Sequence, residues 1–166
     1  MKPYKFYLTL AASVLTCAFV GHAQAADLDH ADRAFFDKAA KSGLKEVAVS
    51  QAVLSKLGTS AGQEFAQTMI TEHSKANYEL QQLAARKGVT LPADDGKAAK
   101  KWSEKTKDVD EDYFDEMVDD HKDAVKLFEK AAKSDDPDIA AFAQKTLPTL
   151  QHHLEMAKTQ KEAASH

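Results

Sequence analysis

VTLPADDGKAAKKWSEKTKDVD, residues 89–110, is the stretch on which the fold of this chain turns. Pro92 and Asp94-Asp95-Gly96 interrupt any long helical run, and the lysine-rich part around Trp102 suits only a short helix. On either side lie periodic segments with much shorter breaks. Gly58-Thr59-Ser60 separates the first from the second, and Asp135-Asp136-Pro137 the third from the fourth. The order is short link, long link, short link. That predicts two tight helical hairpins, with a connection of about 20 residues able to cross the length of a bundle. A plain up-and-down bundle would need only a short loop there.

The four flanking segments carry apolar residues at spacings of three, four and seven, which mark helical stripes. The first runs from about Leu28 to Leu57, with Phe36, Ala40, Val47, Val49 and Val53 among its stripe positions. The second covers about Ala61 to Lys87, with Phe65, Met69, Leu80 and Leu83 inward. Ser60 is its expected N-cap, Gln63 takes the capping-box position, and Gly88 ends it. The third spans about Glu111 to Lys133, and the fourth starts from Asp136 as N-cap with Pro137 in the first turn. No segment has a strand period. The two hairpins also echo each other: Phe36-Asp37 recurs as Phe114-Asp115, and Phe65-Ala66-Gln67 as Phe142-Ala143-Gln144. The expected fold is therefore all-α, a ferritin-like four-helix bundle of two antiparallel hairpins with a long crossover between the second and third long helices.

The N-terminus reads differently. Lys2 and Lys5 precede an uncharged stretch from Phe6 to Gly21, and Ala23-Gln24-Ala25 closes it as a small-x-small site. This is a secretory signal, with cleavage expected after Ala25 and a bundle domain over 26–166. About 16 apolar residues fall short of the roughly 20 that a membrane span needs. Lipid attachment at Cys17 is the lesser alternative, because Thr16 stands where a small Gly, Ala or Ser is expected. The whole chain has 166 residues, 22 Lys+Arg, 26 Asp+Glu and a net charge of -4. Removing residues 1–25 takes two lysines and no acids, leaving 20 basic and 26 acidic residues, net -6 over 141 residues, and no Cys. Such a chain is expected in the periplasm or outside the cell, with no disulfide framework. Its acidity argues against nucleic acid as a partner, and the mature part has no membrane span.

The informative residues are those that are polar where the stripe demands apolar. Glu46 lies seven from both Ala39 and Val53, His73 seven from Ala66 and Leu80, and His121 seven from Phe114 and Phe128. His153 follows Leu150 by three and precedes Ala157 by four. Each long helix thus offers one candidate ligand to the interior. Counted from the first turn, Glu46 and His73 stand level. Counted from Asp135, His153 stands four residues further than His121, roughly 6 Å or one helical turn. Pro148 could adjust that offset. Three imidazoles and a carboxylate suit zinc, iron or copper. The alternative is a purely structural cluster, in which Glu46 pairs with His73 while Glu72 and Asp120 serve as neighbours of His73 and His121. Met69, Met117 and Met156 each lie four residues from a His (His73, His121 and His152), and thioethers as auxiliary ligands would favour copper(I).

Other chemistry is not encoded. Asp108 to Asp112 starts like a calcium loop, but Tyr113 occupies the position where glycine is needed and Asp119 replaces the final Glu. Lys97, Lys100, Lys101, Lys105 and Lys107 read as the solvated face of a crossover helix. There is no nucleophile elbow, no phosphate-binding glycine loop and no CxxCH haem site.

Several motifs together resemble a bacterial family. They are a Phe-x-x-x-Ala pattern followed by Gly43-x-x-Glu46, then Phe65-Ala-x-x-Met69-x-x-x-His73, a lone His121, and Leu147-Pro148-x-Leu150-x-x-His153. The chain is similar over about residues 29–160 to a domain-of-unknown-function group of secreted or periplasmic proteins within the ferritin-like superfamily. The resemblance implies the fold and the compartment and carries no activity. It also has a limit: di-iron members of that superfamily carry Glu-x-x-His, whereas Ile70, Val118 and Leu150 stand three before the histidines here. Ferroxidase chemistry is therefore not expected. The expected function is that of an exported, non-enzymatic bundle without a cofactor, acting in envelope stress or partner binding. The alternative is a mononuclear metal-binding bundle using Glu46, His73, His121 and His153.

Overall fold

Each long helix begins where its free amides can be satisfied. In the computed structural model, which describes residues 28–164, Asp29 Oδ1 accepts from the Asp32 amide at 2.7 Å and opens α1, His30–Val53. Thr59 Oγ1 accepts from the Gly62 amide at 3.0 Å and opens α2, Ser60–Arg86. The cap is thus Thr59 and not Ser60, which is the first helical residue. Gln63 is no capping box either, since its side-chain amide donates to the Leu57 carbonyl at 2.9 Å. After the short α3, Lys97–Glu104, α4 runs over Val109–Ala131 with three acids, Asp110, Glu111 and Asp112, in its first turn. These favour the positive end of the helix dipole. Asp136 Oδ1 accepts from the amides of Asp138 and Ile139 and opens α5, Pro137–Ala164, as the sequence predicts. Pro148 lies inside α5 without ending it.

Pairings across the molecule define the arrangement of the long helices. Glu46 meets His73 across α1 and α2, and the backbone at Gly43 lies against Asn77. Phe35 meets Phe128 at 5.1 Å between ring centroids, while Ser50 bonds Tyr113 at 2.8 Å. Glu72 bonds His153, and Glu79 pairs with Lys145. Phe128 meets Phe142 and His121 meets His153. In every pairing one number rises as the other falls. The long helices therefore form a ring in the order α1, α2, α5, α4, each antiparallel to its neighbours.

That order leaves α2 and α4 parallel on a diagonal, so the chain must travel the bundle's length between them. Residues 89–110 do so. Val89 to Asp94 lie along the groove between α1 and α2, and α3 packs against α1. At the opposite end the Asp110 carboxylate receives the Gly58 amide. Two contacts anchor the crossover. Trp102 is only 2% exposed within the core, and Lys56 Nζ donates to the carbonyls of Trp102, Ser103 and Lys105 at 2.6–3.0 Å. The crossover helix is thus docked through its tryptophan and solvated on its lysine face. No helix among the described residues is long and apolar enough to cross a membrane. The expected signal segment and Cys17 lie outside the described residues.

The core falls into two apolar clusters. One gathers Phe35, Phe36, Leu80, Leu83, Phe128 and Phe142 at one end of the ring. The other gathers Val49, Phe65, Met69, Trp102, Tyr113 and Met117 at the other. Between the two lies one buried polar residue from each long helix, Glu46, His73, His121 and His153, while Asp32 and Ser50 are further buried polar residues of α1.

Candidate metal centre

The polar layer is built by four helices, one side chain from each. All four residues are buried, and Glu46 and His121 are wholly so. The heptad spacing that places Glu46, His73 and His121 on their stripes leaves each no choice but the interior. His153 joins them at the same level. Its ring centroid lies 5.1 Å from that of His73 and 5.3 Å from that of His121, and the His73–His121 separation is 5.5 Å. The offset of one turn predicted from residue counting is therefore absent. The reason lies at the α4–α5 turn, where Gln144 Nε2 donates to the Ala132 carbonyl. The start of α5 projects beyond the end of α4, so equal heights are not reached at equal distances from Asp135.

Hydrogen bonds at the rear of the rings orient their lone pairs. His121 Nδ1 lies 2.8 Å from the Met117 carbonyl, which can only accept. Its proton must sit on Nδ1, leaving Nε2 with a lone pair in the neutral ring. His153 Nε2 donates to the Glu72 carboxylate at 2.7 Å, which turns the Nδ1 lone pair inward. A carboxylate behind a histidine is a recurring second partner in metal sites, fixing the tautomer and raising basicity. Ser42 donates to Glu46 Oε1 at 2.9 Å. Oε2 is left facing His73 Nε2 at 2.9 Å and His121 Nε2 at 3.3 Å.

The three histidines bring one donor atom each to a common region, and Glu46 Oε2 adjoins it beside His73 and His121. Glu46 Oε2, His73 Nε2, His121 Nε2 and His153 Nδ1 all lack a well-directed hydrogen bond. Buried polar groups are nearly always paired, so four such orphans call for an explanation. An ion pair between Glu46 and His73 accounts for two of them. It leaves His121 Nε2 and His153 Nδ1 pointing at the same region with nothing to bond. The histidine donor atoms lie within 4.8 Å of one another. A tetrahedral ion with bonds of about 2.05 Å would hold its donor atoms about 3.3 Å apart, so side chains whose donors now lie within 4.8 Å of one another would draw inward to bind it.

The charge states make Glu46 and His153 ready to ligate, while His73 must first lose a proton. Burial opposes ionisation of Glu46, but the neighbouring His73 and His121 outweigh it and hold the carboxyl at about 2. Burial, then the charge on His73, pushes His153 down to about 4 and keeps it neutral at pH 7. Burial also opposes protonation of His73, yet the Glu46 carboxylate raises its pKa above the ordinary value. A bound cation would replace that proton.

The methionines lie elsewhere. Met69 and Met117 are buried in the apolar cluster beneath the layer, and Met156 borders a shallow surface pocket with Ala61, Phe65 and Thr68. The converging donors are three nitrogens and one oxygen, with no sulfur among the orphaned atoms. Glu72 serves His153 across the helix pair and not its neighbour His73, and Asp120 pairs with Lys45. Sequence reasoning missed Ser42, although its position four before Glu46 places both on one helical face.

No curated protein and no solved structure matches the chain. A family model described as a domain of unknown function (DUF4142) matches residues 18–159, and the chain, with its four-donor layer, belongs to that family.

Proposed function

We propose that this protein is an exported, mononuclear metal-binding bundle of ferritin-like connectivity, with Glu46, His73, His121 and His153 as ligands. The observation that carries the reading is the convergence of three buried histidine donors beside the Glu46 carboxylate, one residue from each long helix, with His121 Nε2 and His153 Nδ1 left without a partner. Three imidazoles and one carboxylate fit zinc, iron(II) or copper(II) better than copper(I), which prefers sulfur. The crossover between α2 and α4 supports the ferritin-like topology, and Ile70, Val118 and Leu150 leave one ion in place of two. The charged, apolar and small-residue regions of residues 1–25 support export.

A second reading has its own support. Beside Tyr78, an exposed aromatic, runs a groove between α1, α2 and residues 89–94, consistent with a surface that binds a partner. The two readings make different predictions. Protein isolated from its own host is expected to carry close to one equivalent of metal by elemental analysis. The stripped protein should then titrate one-to-one with zinc, copper(II) or iron(II) in a calorimeter, and His121→Ala should not. Isolation without metal, together with no heat from any of the three ions, would overturn the metal reading and leave the surface one.

A further inference from the structure

A small cavity of about 30 Å³ adjoins the donor layer. Glu46 and His73 form one side of it, Ser42 and Asn77 add polar side chains, and Leu80 and Phe128 are among the apolar residues closing it. One water needs roughly 10–15 Å³ in this measure, so the space admits one or two waters, or a ligand of two or three atoms. Resting on the metal-binding reading, we propose that the ion held by the four donors takes a fifth, exchangeable ligand on the side of this cavity. Four donors complete a tetrahedral shell, and such ions can expand to five-coordinate where space adjoins them. Here the void lies against two of the four ligands and not in a remote part of the core.

The cavity lies next to a larger space. Asn77 and Leu80 line both the cavity and the groove between α1, α2 and residues 89–94. The Asn77 amide lies over Gly43, where a Cβ would overlap Asn77 Oδ1. The glycine therefore makes room for the polar side chain that, with Leu80, stands between groove and cavity. Ala76, half-buried on α2, lines the cavity one residue away and offers a way to fill it.

Cobalt(II)-loaded protein, titrated with azide and followed by its visible absorption, tests the proposal. Wild type is expected to change spectrum saturably with one azide per cobalt. Ala76→Leu should weaken azide at least tenfold while cobalt stoichiometry and the azide-free spectrum stay as in wild type. That unchanged spectrum also certifies the folded site. Asn77→Ala should speed azide entry several-fold in stopped flow. Bound cobalt that ignores azide overturns the fifth position, and an unchanged azide affinity in Ala76→Leu overturns its assignment to this cavity. Unchanged entry in Asn77→Ala overturns the partition. A protein that takes up no metal refutes the underlying metal reading instead.

Discussion

Loading the proposed metal should raise this protein's thermal stability by a specific amount, and the size follows from the donor layer. Two buried donor atoms, His121 Nε2 and His153 Nδ1, lack hydrogen-bond partners in the metal-free protein beyond the Glu46–His73 ion pair, and each such atom costs about 1–3 kcal/mol. An ion that bonds both relieves those costs only in the folded state. At a free concentration one hundred times its dissociation constant, the ion stabilises by about 2.7 kcal/mol. For a domain of this size, 1 kcal/mol moves the Tm by about 3–5 °C, so a rise of about 8–13 °C is expected. Differential scanning calorimetry of stripped protein, with and without zinc or copper(II), reads it directly. His121→Gln and Glu46→Gln remove a donor with little change in volume and should reduce the rise to about 2 °C or less, as affinity falls by about two orders of magnitude. The reasoning fails if neither ion moves the Tm, or if both variants show the wild-type rise.

Three further outcomes are expected. Glu72→Gln, which removes the carboxylate behind His153, should lower metal affinity about tenfold in a calorimetric titration while the stoichiometry stays at one; equal affinities would discount Glu72. Metal-free stability should fall as the pH drops from about 4.5 towards 2. The Glu46 carboxyl is held at about 2 against an ordinary 4.5, so its contribution is present above 4.5 and lost as the pH nears 2. His153, held at about 4 against 6.5, resists the proton that the unfolded chain takes up and adds a loss of the same sign. The raised His73 acts oppositely, with its contribution fully present below about 6.5. Urea midpoints at pH 5, 4 and 3 should therefore decrease in that order, and a level or rising series contradicts the assignment. Lys56→Met should destabilise by about 1–3 kcal/mol in urea unfolding, because three carbonyls at the end of α3 lose a charged donor. A change within about 0.5 kcal/mol would mean that this lysine does not anchor the crossover.

Much of this arrangement can be read from residue spacing, and the exceptions have physical causes. Heptad position alone places Glu46, His73 and His121 inside, because a helix stripe offers no other side to a residue seven from two apolar neighbours. The long crossover follows from loop length, and its anchoring does not. Trp102 sits among five lysines in sequence, and only tertiary packing shows that the ring is buried while lysines stay outside. The level of His153 escapes residue counting because a turn's midpoint is not its height. From the contact between Gln144 and Ala132, His153 is nine residues along and His121 eleven, a near match that Asp135 conceals. The partners of Glu72 and Asp120 are on other helices, which a one-dimensional reading pairs with the nearest histidine.

The four proposed ligands divide evenly between the hairpins, with Glu46 and His73 on the first and His121 and His153 on the second. Neither hairpin alone offers more than two of the donors. An ion that needs four must therefore wait until both halves have docked and the intervening 22 residues have crossed the bundle. On the metal-binding proposal, assembly precedes loading, and metal content is a record of completed folding. A chain arrested with only its first hairpin formed would compete for metal no better than an ordinary two-donor surface site, and would not take the ion out of turn.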